Sequence, residues 1–305
     1  MRGISRGAVV MVGALQACAP SNAPEDDGRE ANQGVELFAR GVVSSELPEF
    51  AISFTPSGDT AFFNRTPPDR SRIDLLFSTL TDTGWTSAVP FAPLEGVRAI
   101  DPFVTVDGAY LYFSSDLPIE GRAEGSFNLW RLALGRSGAT PEPLPFPINT
   151  DSSEVFNSIS ASGRMVFSSR RDGDRRIYES QVEPSGMWAE PARLSLGAAA
   201  AASNPALHPS GRYMVFARAD DGGPSDLFVS CSAGQEWTMP VRLPEPINSP
   251  FTEFAPGFGG GYLYFTSERP GVRGPVPDGE RPPGDVYRVR TEGVAAVCDP
   301  TPGSP

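Results

Sequence analysis

The chain has 305 residues, with hydrophobic residues at 39% and aromatics at 10%, so it can bury a core and is not a disordered tract. Its formal net charge is -12 and its 25 cationic side chains are all arginine, which offers no basic face and argues against a nucleic-acid partner. The 32 glycines and 32 prolines suit many short strands and tight turns rather than long helices.

In chain order, residues 1–17 read as an export signal: Arg2 and Arg6, an apolar run from Ala8 to Leu15, then small residues. The run is too short to cross ~30 Å of hydrocarbon, so no permanent membrane helix is expected. The segment Leu15-Gln16-Ala17-Cys18 resembles the lipobox of bacterial lipoproteins, which implies an acylated Cys18 as the mature N-terminus. With Ala19 rather than aspartate behind it, the resemblance implies a periplasmic, outer-membrane address in the cell envelope. Residues 18–34 are polar and pattern-free and read as a lipidated cysteine on a flexible tether. The body is then expected to meet the membrane only through that anchor.

Residues 35–298 are predicted to form the folded body, with 299–305 as a disordered tail. Apolar triplets end at Phe63, Phe113, Phe167, Phe216 and Phe265, in steps of 50, 54, 49 and 49 residues. Each follows a turn holding Gly58, Gly108, Gly163, Gly211 or Gly260-Gly261. A period of this size means stacked supersecondary units. Period-two runs flank the turns, as in Phe103-Val104-Thr105-Val106, so each unit opens with a hairpin. A third run follows a polar loop, for example Asp74-Leu75-Leu76-Phe77, Asn128-Leu129-Trp130 or Asp285-Val286-Tyr287. A fourth, marked by Trp85, Trp188 or Trp237, continues into proline-rich text such as Pro143-Leu144-Pro145. Proline cannot donate to a ladder, so this strand belongs at the edge.

The period therefore predicts an all-β fold, a five-bladed β-propeller of four-stranded antiparallel blades. Residues 35–298 supply room for five units of about 50 residues, with six blades as the alternative count. The segment Val35 to Arg40 stands before Glu49 as Val241-Arg242-Leu243 stands before Glu253, so it is predicted to complete the last blade as its outer strand. Val294 to Val297 competes for that place. The repeats resemble those of TolB and its relatives, cousins of the WD repeats. The matching text is Thr55-Pro56-Ser57-Gly58, Pro205 with His208-Pro209-Ser210-Gly211, Phe113-Ser114-Ser115 and Asp226-Leu227-Phe228. The resemblance covers about residues 49–290 and implies the same fold.

Candidate chemistry gathers where the innermost strands begin. Aligned on Ile52, Pro102, Asn157, Pro205 and Pro256, three copies carry an acid three residues earlier: Glu49, Glu154 and Glu253. The other two carry Asp101 or Asn204 one residue earlier. These five groups are expected round one mouth of the central channel. There they either cap backbone donors, a repeated structural need, or form a ring for Ca²⁺ or a polar ligand. No other cofactor is expected. Carboxylates that close need a cation or an arginine beside them. The loops between second and third strands open on the same face, with Arg65, Asp116, Arg170, Arg218 and Arg269 as the expected rim; the longest runs from Glu268 to Gly284.

His208 is the only histidine and falls in a turn on the opposite face, so a Ser-His-Asp triad or a histidine-rich metal centre is not expected. Cys231 and Cys298 lie in distant segments, and sequence alone leaves open whether they pair. Two functions follow. The favoured one is a monomeric, non-enzymatic binding module whose loop-rich face meets an envelope protein or surface polymer. The alternative is a carbohydrate-active hydrolase or lyase using two of the channel carboxylates.

Overall fold

Gly58, Gly108, Gly163, Gly211, Gly260 and Gly261 all stand at positive φ, between 54° and 79°. A Cβ makes that region costly, and glycine enters it freely, so each hairpin reverses where the sequence places its glycine. The computed structural model describes residues 34–299, apart from 68, 70, 123, 124, 198–201, 221, 235, 278, 279 and 281. The export signal, Cys18, the tether up to residue 33 and the tail from residue 300 lie outside the described residues.

Five antiparallel sheets follow one another along the chain. Blade 1 comprises Glu49–Phe54, Thr60–Arg65 and Asp74–Thr81, edged by Val89–Pro90. Blade 2 comprises Ala99–Val104, Tyr110–Ser115, Asn128–Ala133 and the edge Glu142–Pro143. Blade 3 has Glu154–Ile159, Arg164–Ser169, Arg176–Gln181 and Ala192–Arg193. Blade 4 has Ala202–Leu207, Tyr213–Ala219, Ser225–Ala233 and Val241–Arg242. Blade 5 has Glu253–Gly259, Tyr262–Ser267 and Asp285–Arg290. Its outer strand is Glu36–Leu37, with Glu36 opposite Arg288 and Leu37 opposite Tyr287. The innermost strands touch their neighbours in a closed cycle, blade 5 against blade 1 included. This is a five-bladed β-propeller, shut by its N-terminal strand as expected.

Proline does sit on the edge strands, at Pro90 and Pro143. The tryptophans mark a separate feature. Gly84–Trp85 and Glu236–Trp237 lengthen the third strands into small hairpins, and the edge strand proper comes later. The five repeat phenylalanines are fully buried between blades. Each is worth about 1.5–3 kcal/mol relative to exposure.

Every innermost strand is bulged at the same place. The register slips between Phe50 and Ser53, Ile100 and Phe103, Val155 and Asn157, Ser203 and Ala206, and Phe254 and Gly257. The bulges hold Ala51, Asp101, Phe156, Asn204 and Ala255 at φ between 48° and 57°. Asp and Asn enter that region with modest cost; Phe156 does so against preference. At three of these bulges the freed N–H joins neighbouring blades. Asp101 N–H donates to Asn64 Oδ1 (2.8 Å), Phe156 N–H to Ser114 Oγ (3.0 Å) and Asn204 N–H to Ser168 Oγ (3.2 Å), each on the preceding blade. At the seam between blades 5 and 1 the equivalent Thr266 hydroxyl has no partner among the described residues, and at the seam between blades 4 and 5 the equivalent residue is Ala217, which offers no side-chain acceptor.

That seam is joined differently. Val294 to Val297 forms no strand; it lies in a helix, Glu292–Cys298, whose Val294 packs into the core between blades 4 and 5. Cys298 is disulfide-bonded to Cys231 on the third strand of blade 4, with Cα atoms 5.5 Å apart. The pairing that the sequence left open is made because the chain turns back over its last seam.

Candidate functional site

The three glutamates are fully buried and already engaged. Glu154 accepts from Thr150 N–H (2.9 Å), Thr150 Oγ1 (2.7 Å) and Ser169 Oγ (2.7 Å), with Arg171 Nη2 at 3.8 Å. Glu253 repeats this with Ser249 N–H (3.0 Å), Ser249 Oγ (2.6 Å), Ser267 Oγ (2.7 Å) and Arg269 Nη2 (3.1 Å). Glu49 takes Ser45 N–H at 3.0 Å, the Ser45 hydroxyl, and Arg65 Nε at 2.6 Å. Each carboxylate thus fastens the loop that enters its blade and neutralises itself on an arginine. Asp101 and Asn204 belong elsewhere. They occupy the bulge, two residues on, where the left-handed backbone turns their side chains out of line with the glutamates. Among the described residues, no group of three or more His, Cys, Asp or Glu is placed to hold a metal ion. The expected single ring is therefore two sets of residues with different surroundings.

The rim divides likewise. Arg65 and Arg269 are the glutamates' partners; in blade 3 that part falls to Arg171, while Arg170 is exposed. Blade 4 has Ala202 where a glutamate would stand, so Arg218 turns to Asp220 (2.8 Å) and lies over the Phe228 ring at 3.7 Å. Asp116 pairs with Arg98 at 3.2 Å, and Arg98 also covers Phe127 at 4.7 Å. Three half-buried phenylalanines, Phe50, Phe127 and Phe254, stand at the centre of this face, Phe50 and Phe254 with centroids 6.5 Å apart. Beside them a groove of about 180 Å³ runs between Pro48, Thr66, Glu268 and Pro282.

The channel itself does not pass through. Phe156 of blade 3 packs in one cluster with Ala51 of blade 1 and Ala255 of blade 5. Blade 3 neighbours neither in the ring, so the contact lies across the axis and closes it at the level of the bulges. Beyond this plug a cavity of about 220 Å³ opens on the face of the tight hairpin turns, between Thr55-Pro56, Thr105-Val106, Pro209 and Gly260. Asp101 and Asn157 line it. His208 stands in the adjoining turn, stacked on Tyr213 at 4.5 Å and edge-on to Phe258 at 5.2 Å, and is half-buried rather than a plain surface residue.

Burial dominates the titration of this region. It pushes Glu49 up to about 7 despite the bonds from Ser45 and Arg65, and Asp101 up to about 7 against the opposing charge of Arg175. Asp285 is raised to about 6, again by burial, with a backbone bond from Val272 opposing. A carboxyl whose pKa rises on folding favours the folded state at low pH and withdraws that support as pH climbs through the folded value. His208, pushed down by burial and Arg212, acts in the opposite sense, one group against three. The thermal midpoint is therefore expected to be several degrees higher near pH ~5.5 than near pH ~8, with Asp101→Asn flattening the profile. A midpoint that rises with pH over that window contradicts these shifts.

No protein-family model matches the sequence, and no curated protein matches it either. Among solved structures the chain is similar to a TolB protein from Agrobacterium tumefaciens, at 18% identity and TM-score 0.49, over 73% of this chain and 71% of that one. It is also similar to TolB from Acinetobacter baumannii, at 13% identity and TM-score 0.43, over 81% of this chain and 55% of that one. The catalytic domain of an α-L-arabinofuranosidase from Coprinopsis cinerea aligns at 12% identity and TM-score 0.50, over 85% of this chain and 98% of that one. At such identities the likeness extends to the fold and no further.

Sequence reasoning missed Phe156, Asn157 and Arg175. The first two carried a signal. They depart from the repeat, an aromatic where other copies have Ala, Asp or Asn, and an amide where others have Ile or Pro.

Proposed function

We propose that the protein is a non-enzymatic binding module of the bacterial cell envelope, anchored through an acylated Cys18 and presenting its rim face to a protein or polymer. The observation that carries this reading is the centre of that face: Phe50, Phe127 and Phe254, half-buried, with Arg98 over the Phe127 ring. Aromatic and arginine side chains on a rigid frame are what binding hot spots are made of. The glutamates that a glycosidase would need are engaged in holding the loops, which favours binding over turnover. The Cys231–Cys298 bond suits an oxidising compartment, and so supports the envelope address that the leader implies.

The test uses the intact chain in its own envelope, carrying a photo-reactive residue at Phe127 or, as control, at exposed Met187 in the turn after the third strand of blade 3. Adducts formed from position 127 and not from 187 support the reading. Equal labelling, or none, removes the rim face as the contact. In parallel, turnover of polysaccharides or aryl glycosides that disappears in Glu154→Gln would overturn the binding-only view.

A further inference from the structure

The blind cavity on the turn face holds the places where the five-fold grammar fails. Ile52, Pro102, Pro205 and Pro256 follow the bulge residue in four blades, and Asn157 follows it in the third. Asn157 is 3% exposed, and among the described residues neither its amide nitrogen nor its amide oxygen has a hydrogen-bond partner. The repeat offers apolar residues for this position, so the chain bears the desolvation of an amide for which the scaffold has no use. Asp101, from the neighbouring blade, lines the same cavity; it is 8% exposed, and among the described residues its carboxylate has one hydrogen bond, from Ser114 Oγ at 3.5 Å, and feels the opposing charge of the half-buried Arg175. Phe54, Phe103, Phe156 and Phe258 supply aromatic wall.

We propose that this cavity binds a small organic cation, an ammonium group on an apolar body, with Asp101 and Asn157 Oδ1 accepting its N–H bonds and the phenylalanine rings facing its charge and hydrocarbon. Three alternatives fit less well. A hard metal ion takes six to eight oxygens, and one carboxylate with one amide among phenyl rings does not provide them. An anion would meet Asp101. A sugar would bring more hydroxyls than two polar groups satisfy, whereas an ammonium ion among aromatic faces gains from the ring quadrupoles. At about 220 Å³ the space lies below the ~300–1,000 Å³ of sites for drug-sized molecules, so the occupant is small. This site is on the face opposite the rim, and its fate is independent of the rim's partner.

Calorimetric titration of the full chain with methylammonium, benzylammonium and phenethylammonium at about pH 8, where Asp101 is largely ionised, tests the proposal. At least one amine is expected to bind saturably, and benzylammonium about 10-fold or more tighter than benzyl alcohol, its neutral counterpart. Asp101→Asn should weaken amine binding about 10-fold or more while still folding, since Asn204 occupies the same left-handed position in blade 4. Asn157→Ile installs the residue of blade 1; it should abolish binding and raise the melting temperature. Three results would each overturn the proposal: no amine binds, the alcohol binds as well as the amine, or both variants bind as the parent does.

Discussion

Replacing Cys231 and Cys298 together by serine should lower the thermal midpoint by roughly 7 °C, the scale set by about 4 kcal/mol in a domain this size. The bond closes a loop of 67 residues, and the entropy withheld from the unfolded chain by a loop that long is worth about 4 kcal/mol. Its position sharpens the expectation. Three seams are clipped by a side chain from the second strand to the bulge N–H of the next blade, whereas the seam between blades 4 and 5 has Ala217 at that place. The helix Glu292–Cys298 lies over this seam, held by the disulfide, by Val294 in the core and by an exposed ion pair between Arg212 and Asp299. Exposed pairs contribute little, so the covalent bond and Val294 carry the load. Hydrogen exchange should accordingly quicken first in that helix and in Ser225–Ala233. A midpoint unchanged in the double variant, or by reductant, would show that the seam holds without the bond.

Glu253→Ala is the second large effect. It removes the acceptor of Ser249 N–H and of the Ser249 and Ser267 hydroxyls from a fully buried place, and takes the carboxylate from Arg269, which keeps its bonds to the Pro246 and Ile247 carbonyls. Removing one partner of a buried ion pair costs about 3–5 kcal/mol, which corresponds to roughly 5–9 °C here. Glu253→Gln keeps the shape and one acceptor and should lose less. Glu36→Ala provides the scale: Glu36 pairs with Arg288 on the exposed edge of blade 5, and its loss should stay within about 1 kcal/mol. Chemical denaturation of the three variants measures all of this. If Glu253→Ala is no worse than Glu36→Ala, the carboxylate is not holding its loop and is free for another use.

The scaffold was legible because its determinants are local and repeated. A glycine at each reversal, a phenylalanine at each second-strand core position and proline on the edge speak for themselves within a few residues. The closing strand was legible too, because Val35 to Arg40 stands before Glu49 as an outer strand should. The site was less so. The glutamates could be found, but their occupation depends on Ser45, Thr150 and Ser249 four residues earlier and on arginines from the second strand's end. Asp101 and Asn204 looked equivalent to them only while the strand was imagined straight. A bulge at Ala51, Phe156 or Ala255 has no sequence mark, since neither alanine nor phenylalanine announces a left-handed backbone. Contacts across the axis, such as that of Phe156, depend on ring size and are written in no single repeat. The cysteines were undecidable for a similar reason: their closeness depends on a helix that folds back, in text that reads equally well as a strand.

Phe156 makes the torus a cup rather than a pipe. Whatever enters from the side of the hairpin turns must leave by the same door, so uptake and release share one aperture and nothing is handed through to the opposite side. Smaller side chains there, as alanine is in blades 1 and 5, would open a passage and turn a vessel into a conduit.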